Sequence, residues 1–108
     1  MTLEIRILYN KTCPSFEPAL SRVKEIVEEE NIQTQIVSEE VNNFEDAQYW
    51  KFIGSPTILV NGVDIDPVKS DIYRYENCRT YLKEDGTVSP VPSKLTIKNA
   101  IQKAVETL

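Results

Sequence analysis

The feature that most constrains this chain is the change of period in its apolar residues. Residues 3–9, LEIRILY, alternate and then turn apolar, which predicts a strand that begins exposed and runs into a core. From Phe16 the apolar positions are Phe16, Ala19, Leu20, Val23, Ile26 and Val27. That spacing is one face of a helix reaching about Glu30, with charges opposite. Asn31 suits its C-terminal stop. Residues 32–37, IQTQIV, return to period two and predict a second strand. SEEVNN is a polar connector in which Asn42 or Asn43 caps a short aromatic helix over 44–54, ended by Gly54. SPTILV (55–60) reads as a buried strand, and Asn61-Gly62 as a hairpin turn, because both residues accept positive φ. VDI (63–65) is the returning strand. Residues 66–77 are polar and carry no clear pattern. CRTYL (78–82) predicts a strand, KEDG a turn and TVSPVP a loop. Ser93 caps a last helix whose apolar face is Ile97, Ala100, Ile101, Ala104 and Leu108. The order β-α-β-α-β-β, an irregular insertion, then α predicts an α/β fold with helices against a mixed sheet. The length of 108 residues predicts one domain over 1–108.

Charge and residue usage narrow the chemistry. The net charge is −5 and the lysines and arginines do not cluster, which argues against nucleic acid and anionic membranes as partners. No apolar run approaches the roughly 18 residues of a membrane span. The N-terminal MTLEIRILYN lacks a basic region followed by a long apolar core, so the expected location is cytoplasmic. Histidine is absent, which removes the usual neutral-pH base, the Cys–His nucleophile pair and most mixed zinc sites. Two cysteines cannot build a four-cysteine zinc site. In a reducing compartment two thiols point to catalysis, soft-metal binding or burial before a structural disulfide.

The first thiol stands in a telling place. In KTCPSF, Pro14 suits the first position of a helix, where its missing N–H costs nothing, and this makes Cys13 the N-cap. A thiolate there accepts hydrogen bonds from the free N–H groups of the first turn and lies at the positive end of the helix dipole. Both effects predict a pKa below the free value of about 8.5. Lys11 adds to this and Glu17 opposes it. Pro18 leaves two geometries open: a first turn kinked at Pro18, or a regular helix that starts there and leaves Cys13 about one turn away.

A strand, Cys-Pro at a helix entrance, a helix, and then GSPTILVNG some forty residues on resemble the thioredoxin-like superfamily. The resemblance covers residues 3 to 65 and the final helix. It implies a three-layer sandwich with a central four- to five-stranded mixed sheet and helices on both faces. It also implies that Cys13 is the nucleophile, that Pro56 is a cis-proline beside it, and that Ser55 presents backbone to substrate, with Thr57 opening the third strand. Pro14, Ser15 and Phe16 would complete the substrate-binding set. A narrower similarity, in CPSF, GSPTILVNGVDIDP and CRTY, is to small thioredoxin-like proteins linked by name to alkylmercury lyases. The chain departs from the dithiol pattern at Phe16, where a resolving cysteine would stand, and lacks the Gly-Phe-Ser of monothiol glutaredoxins.

Three functions follow as expectations. In the first, Cys13 attacks a protein or small-molecule disulfide and Cys78 or an external thiol resolves the mixed disulfide, with no cofactor beyond an external thiol reductant. In the second, Cys13 and Cys78 together hold mercury or Cu(I), or process an organomercurial. In the third, the fold is a non-catalytic interaction module. The blander expectations are also definite. Phe16 packs at the start of the helix face, and Tyr49, Trp50 and Phe52 are core and flank of a short helix. Asp64, Asp66 and Asp71 are solvated loop charges, too sparse for a calcium loop. Tyr73 and Tyr75 belong to a half-buried extended segment. Glu28–Glu30 is a solvated helix end that opposes the dipole.

Overall fold

The computed structural model describes residues 2–70 and 72–107, so the readings of Asp71 and Leu108 lie outside the described residues. Four strands form a mixed sheet: β1 (Leu3–Tyr9), β2 (Thr34–Glu40), β3 (Thr57–Val60) and β4 (Val63–Asp64). Their order is β2-β1-β3-β4. β1 pairs with β2 in parallel and with β3 antiparallel, and β3 pairs with β4 antiparallel. The helices are α1 (Phe16–Glu30), α2 (Phe44–Trp50) and α3 (Lys94–Glu106). A separate ribbon, β5 (Tyr81–Leu82) and β6 (Val88–Ser89), stands beside the sheet.

The alternation in β1 sorts the helices onto two faces. Leu3, Ile5 and Ile7 join Ile58 and Val60 of β3 against Ala19, Val23 and Ile26 of α1 and Ile97 and Ile101 of α3. On the other face Leu8 packs with Val41, Ala47 and Phe52, and Trp50 and Leu59 border them. Each wholly buried aliphatic side chain contributes about 1.5–3 kcal/mol, so these two layers hold the helices in place. The acids at the end of α1 are not simply solvated: Glu25 and Glu29 pair with Lys94 of α3, both at 3.2 Å, and Glu29 also with Lys98 at 3.5 Å. These pairs are exposed and screened by water, so they align two helices that the apolar faces already dock.

Local signals set most ends. Asn31 takes the left-handed conformation (φ 51°) and closes α1. Ile32 then donates its N–H to the Val27 carbonyl at 3.3 Å. Ile32 therefore belongs to the helix cap, and β2 begins at Thr34 rather than at residue 32. Asn43 caps α2 by accepting from the Asp46 N–H at 2.8 Å. α2 ends earlier than expected, because Lys51 itself adopts φ 54° and Phe52 donates to the Ala47 carbonyl. Gly54 has a different task, described below. At the hairpin Asn61 and Gly62 both have positive φ (49° and 83°). The Asn61 carboxamide and amide also tie this turn to Glu4 of β1.

The expected strand over 78–82 is divided. Cys78 forms an isolated parallel bridge with Ser55. From Tyr81 the chain leaves that contact and pairs with Val88–Ser89, inside the stretch expected to be a loop. It does not add a fifth strand to the main sheet.

Candidate functional site

The antiparallel register of β1 and β3 creates the site. Leu8 lies opposite Thr57, so two residues further on Asn10 meets Ser55. The Asn10 N–H donates to Ser55 Oγ at 3.3 Å, and the Asn10 carboxamide donates to the Asn77 carbonyl at 3.0 Å. The Cys13 N–H returns to the Asn10 carbonyl at 3.2 Å. Asn10 thus binds together the segments 10–13, 55 and 77. Tyr9 and Phe16 stack at 4.0 Å across the base of the loop between them and fix where it leaves and rejoins regular structure.

Cys13 is not the helix N-cap. Ser15 holds that position, its side chain makes no cap bond, and α1 starts at Phe16. Pro18 falls in the first turn, where a backbone N–H has no intrahelical acceptor, so it neither kinks the helix nor displaces its start. The dipole acts on Cys13 from beyond the first turn, and local hydrogen bonds take over the expected role. Burial raises the Cys13 thiol. The Ser55 hydroxyl, the N–H and hydroxyl of Ser15, and the Cys78 thiol more than offset it and leave Cys13 below the ordinary thiol range. The Asn10 N–H occupies a lone pair of Ser55 Oγ, so the Ser55 proton is free to point at sulfur. In the protonated state Cys13 Sγ donates to the Ser55 carbonyl at 3.5 Å.

The two cysteines, 65 positions apart in sequence, both lie against Ser55: Cys13 Sγ is 3.5 Å from its carbonyl, and Cys78 forms a backbone bridge with it. Burial, the Cys13 charge and the bond to Cys13 raise the Cys78 thiol, in the opposite direction to its partner. Both cysteines are free thiols; Cys13 is buried, at 8 % exposure, and Cys78 is exposed. The two directions oppose each other, so the first negative charge of the pair forms on Cys13.

Several partners of this site have no local sequence signal. Cys78 is carried to Ser55 by the backbone: Ser55 N–H donates to the Asn77 carbonyl at 2.9 Å, and Arg79 N–H donates to the Ser55 carbonyl at 3.0 Å. Gly54 makes that approach feasible. A Cβ there would lie 2.9 Å from Arg79 Cβ and 3.0 Å from the Arg79 nitrogen and the Cys78 carbonyl carbon. Arg79 is buried, and its Nη1 meets Asp64 Oδ2 at 2.9 Å and Thr57 Oγ1 at 3.3 Å, while Nη2 meets the Asp66 carbonyl at 2.8 Å. Asp64 is therefore an ion-pair partner and not a solvated loop charge. The guanidinium lies over the Tyr81 ring at 4.4 Å, and the Tyr81 hydroxyl donates to the Pro56 carbonyl at 2.6 Å.

Of the residues expected at the site, Cys13, Cys78, Ser15 and Ser55 come together. The Ser55–Pro56 peptide is cis. Pro56 and Thr57 are buried, and the Thr57 hydroxyl donates to the Gly54 carbonyl at 2.6 Å, so its proton is turned inward. Pro14 is exposed and Phe16 half-buried. Among the described residues no group of three histidine, cysteine, aspartate or glutamate side chains gathers as a metal site, and no helix is long and apolar enough to cross a membrane. No protein-family model and no curated protein matches the chain significantly.

Proposed function

We propose that the protein is a thioredoxin-like thiol–disulfide oxidoreductase whose two thiols lie on separate segments of the chain. The observation that carries this reading is that Ser55 gathers both cysteines, its carbonyl 3.5 Å from Cys13 Sγ and its backbone bridged to Cys78, with Cys13 lowered while Cys78 is raised. A mixed sheet in the order β2-β1-β3-β4, with helices on both faces and the cysteine loop at the end of β1, agrees with the resemblance. The Cys13 thiolate attacks one sulfur of a disulfide R–S–S–R, forming Cys13–S–S–R and releasing RS⁻. Cys78 then loses its proton and attacks the Cys13 sulfur, which forms the Cys13–Cys78 disulfide and releases the second RS⁻. An external thiol supplies the two electrons that restore both thiols.

The test is the pH dependence of Cys13 alkylation by iodoacetamide, together with the mass of the protein after exposure to a disulfide. Reaction below pH 8.5 and loss of two hydrogens are expected. A Cys13 that reacts only above about pH 8.5, or a chain that keeps both thiols, overturns the reading.

The same adjacency favours one competing reading, a two-coordinate site for Cu(I) or Hg(II), which prefer thiolate ligands. Tight metal binding that vanishes in both Cys13→Ser and Cys78→Ser, in a protein that forms no internal disulfide, would establish it instead.

A further inference from the structure

Next to the reactive sulfur, the backbone edge that an extended polypeptide would use is already occupied by the chain itself. Adding a strand to a protein requires free N–H and C=O groups along an edge. Those of Ser55 lie beside Cys13 Sγ, with the carbonyl 3.5 Å away. Both are taken: the N–H by Asn77 and the carbonyl by Arg79. This clamp is anchored on both sides, by the Asn10 carboxamide on the Asn77 carbonyl and by the buried Arg79 guanidinium on Asp64 and Asp66. Beyond Thr57 the next groups along β3 are committed to β1 and β4. Cys13 itself is only 8 % exposed.

We infer that the segment Asn77–Arg79 fills the strand-binding position beside Cys13, so that the site takes low-molecular-weight disulfides and excludes extended polypeptide disulfides. The inference rests on the thiol–disulfide reading above and specifies its substrate class. A slender disulfide reaches Cys13 without disturbing Ser55. A polypeptide must first displace 77–79 and break two backbone hydrogen bonds. Cys78 rides on that clamp, so the resolving thiol is already in place when the small thiolate departs. A space of about 390 Å³ opens on the far side of the loop, between Asn10–Thr12, Glu40–Asn42 and Tyr75–Glu76, and neither cysteine lines it.

The experiment compares the oxidation of the fully reduced protein by bis(2-hydroxyethyl) disulfide and by insulin. The readout is the rate of Cys13–Cys78 disulfide formation, followed by mass after acid quench. Each rate is divided by that of the same disulfide with free dithiothreitol. The two hydrogen bonds are worth up to about tenfold each, so the normalised preference for the small disulfide is expected to be on the order of 10- to 100-fold. Gly54→Ala forces 77–79 away from Ser55 and should reduce that preference toward one. Asn10→Ala removes one anchor of the clamp without placing any atom against the fold, and should reduce it in the same direction. In Cys78→Ser the clamp persists, so the preference should persist, read there as the rate at which the Cys13 mixed disulfide forms. Equal normalised rates in the wild-type protein overturn the inference and leave the proposed function standing. Failure of both disulfides to oxidise the protein overturns the proposed function, and the inference with it.

Discussion

At Cys13 a buried sulfur that burial alone would keep protonated is turned toward the anion by four short-range donors. Cys78 feels the reverse, because a charge on Cys13 opposes a second charge beside it. The two residues therefore make opposite predictions when separated. Cys78→Ala removes a donor from Cys13 and should raise the pH at which Cys13 is alkylated. Cys13→Ala removes the neighbouring charge and should lower that of Cys78. Alkylation rates followed by peptide mass across pH 5–10 check both shifts, and movement of either in the other direction would show that the two thiols do not titrate as a pair. Tyr81 gives a different titration. Burial is the main cause that lifts its phenol above the ordinary value of 10.0, and its hydroxyl donates to the Pro56 carbonyl. Above pH 10 the unfolded chain releases this proton while the native state retains it. Stability is intact below that range and should fall by about 1.4 kcal/mol per pH unit as pH rises through it. In Tyr81→Phe the alkaline decline should be shallower in urea melts at successive pH values, although the protein starts less stable.

The helices divide by how their ends are closed. α3 has a side-chain cap, Ser93 Oγ accepting from the Thr96 N–H at 3.2 Å, whereas α1 has none at Ser15. Ser93→Ala should cost about 1 kcal/mol of unfolding free energy. Pro18→Ala should change stability by less than about 0.5 kcal/mol, because an exposed first-turn position has no backbone bond to regain. Chemical denaturation of the two variants gives the comparison, and a large gain from Pro18→Ala would mean that the proline strains α1. At this scale much was legible from the sequence alone. The apolar spacing of α1 and α3 marked their buried faces, and Asn31, Asn43, Ser93 and Asn61-Gly62 each sat where its local geometry requires. The misplaced boundaries have a common cause. Ile32 and Lys51 complete helix caps through backbone bonds that any residue can make, so their side chains carry no signal.

For the whole molecule the decisive element is the polar core around Arg79. One buried guanidinium holds Asp64 of β4, Thr57 of β3 and the Asp66 carbonyl, and so binds the segment that carries Cys78 to the edge of the sheet. Removing the half-buried Asp64 leaves the buried Arg79 charge uncompensated. Asp64→Ala should cost on the order of 3 kcal/mol, and Asp64→Asn less, since the amide still offers an oxygen to Arg79. Because the loss loosens 77–79, Asp64→Ala should also slow formation of the Cys13–Cys78 disulfide relative to Asp64→Asn at matched native population. A loss of stability without any change in that rate would mean the clamp is held by Ser55 and Asn10 alone.

The sequence by itself determined the three helices and the strands of the main sheet, which faces are apolar, and that a cysteine stands near a helix entrance with a Ser-Pro segment further on, but not the ribbon of β5 and β6. These properties are written in residue periods and turn preferences that act over a few positions. Only the tertiary structure decided that Cys78 meets Cys13, that Asp64 neutralises Arg79, and that Ser55 has no free backbone edge. Those facts depend on the register of β1 with β3 and on the absence of a Cβ at Gly54, and pairings across such distances leave no trace in local spacing.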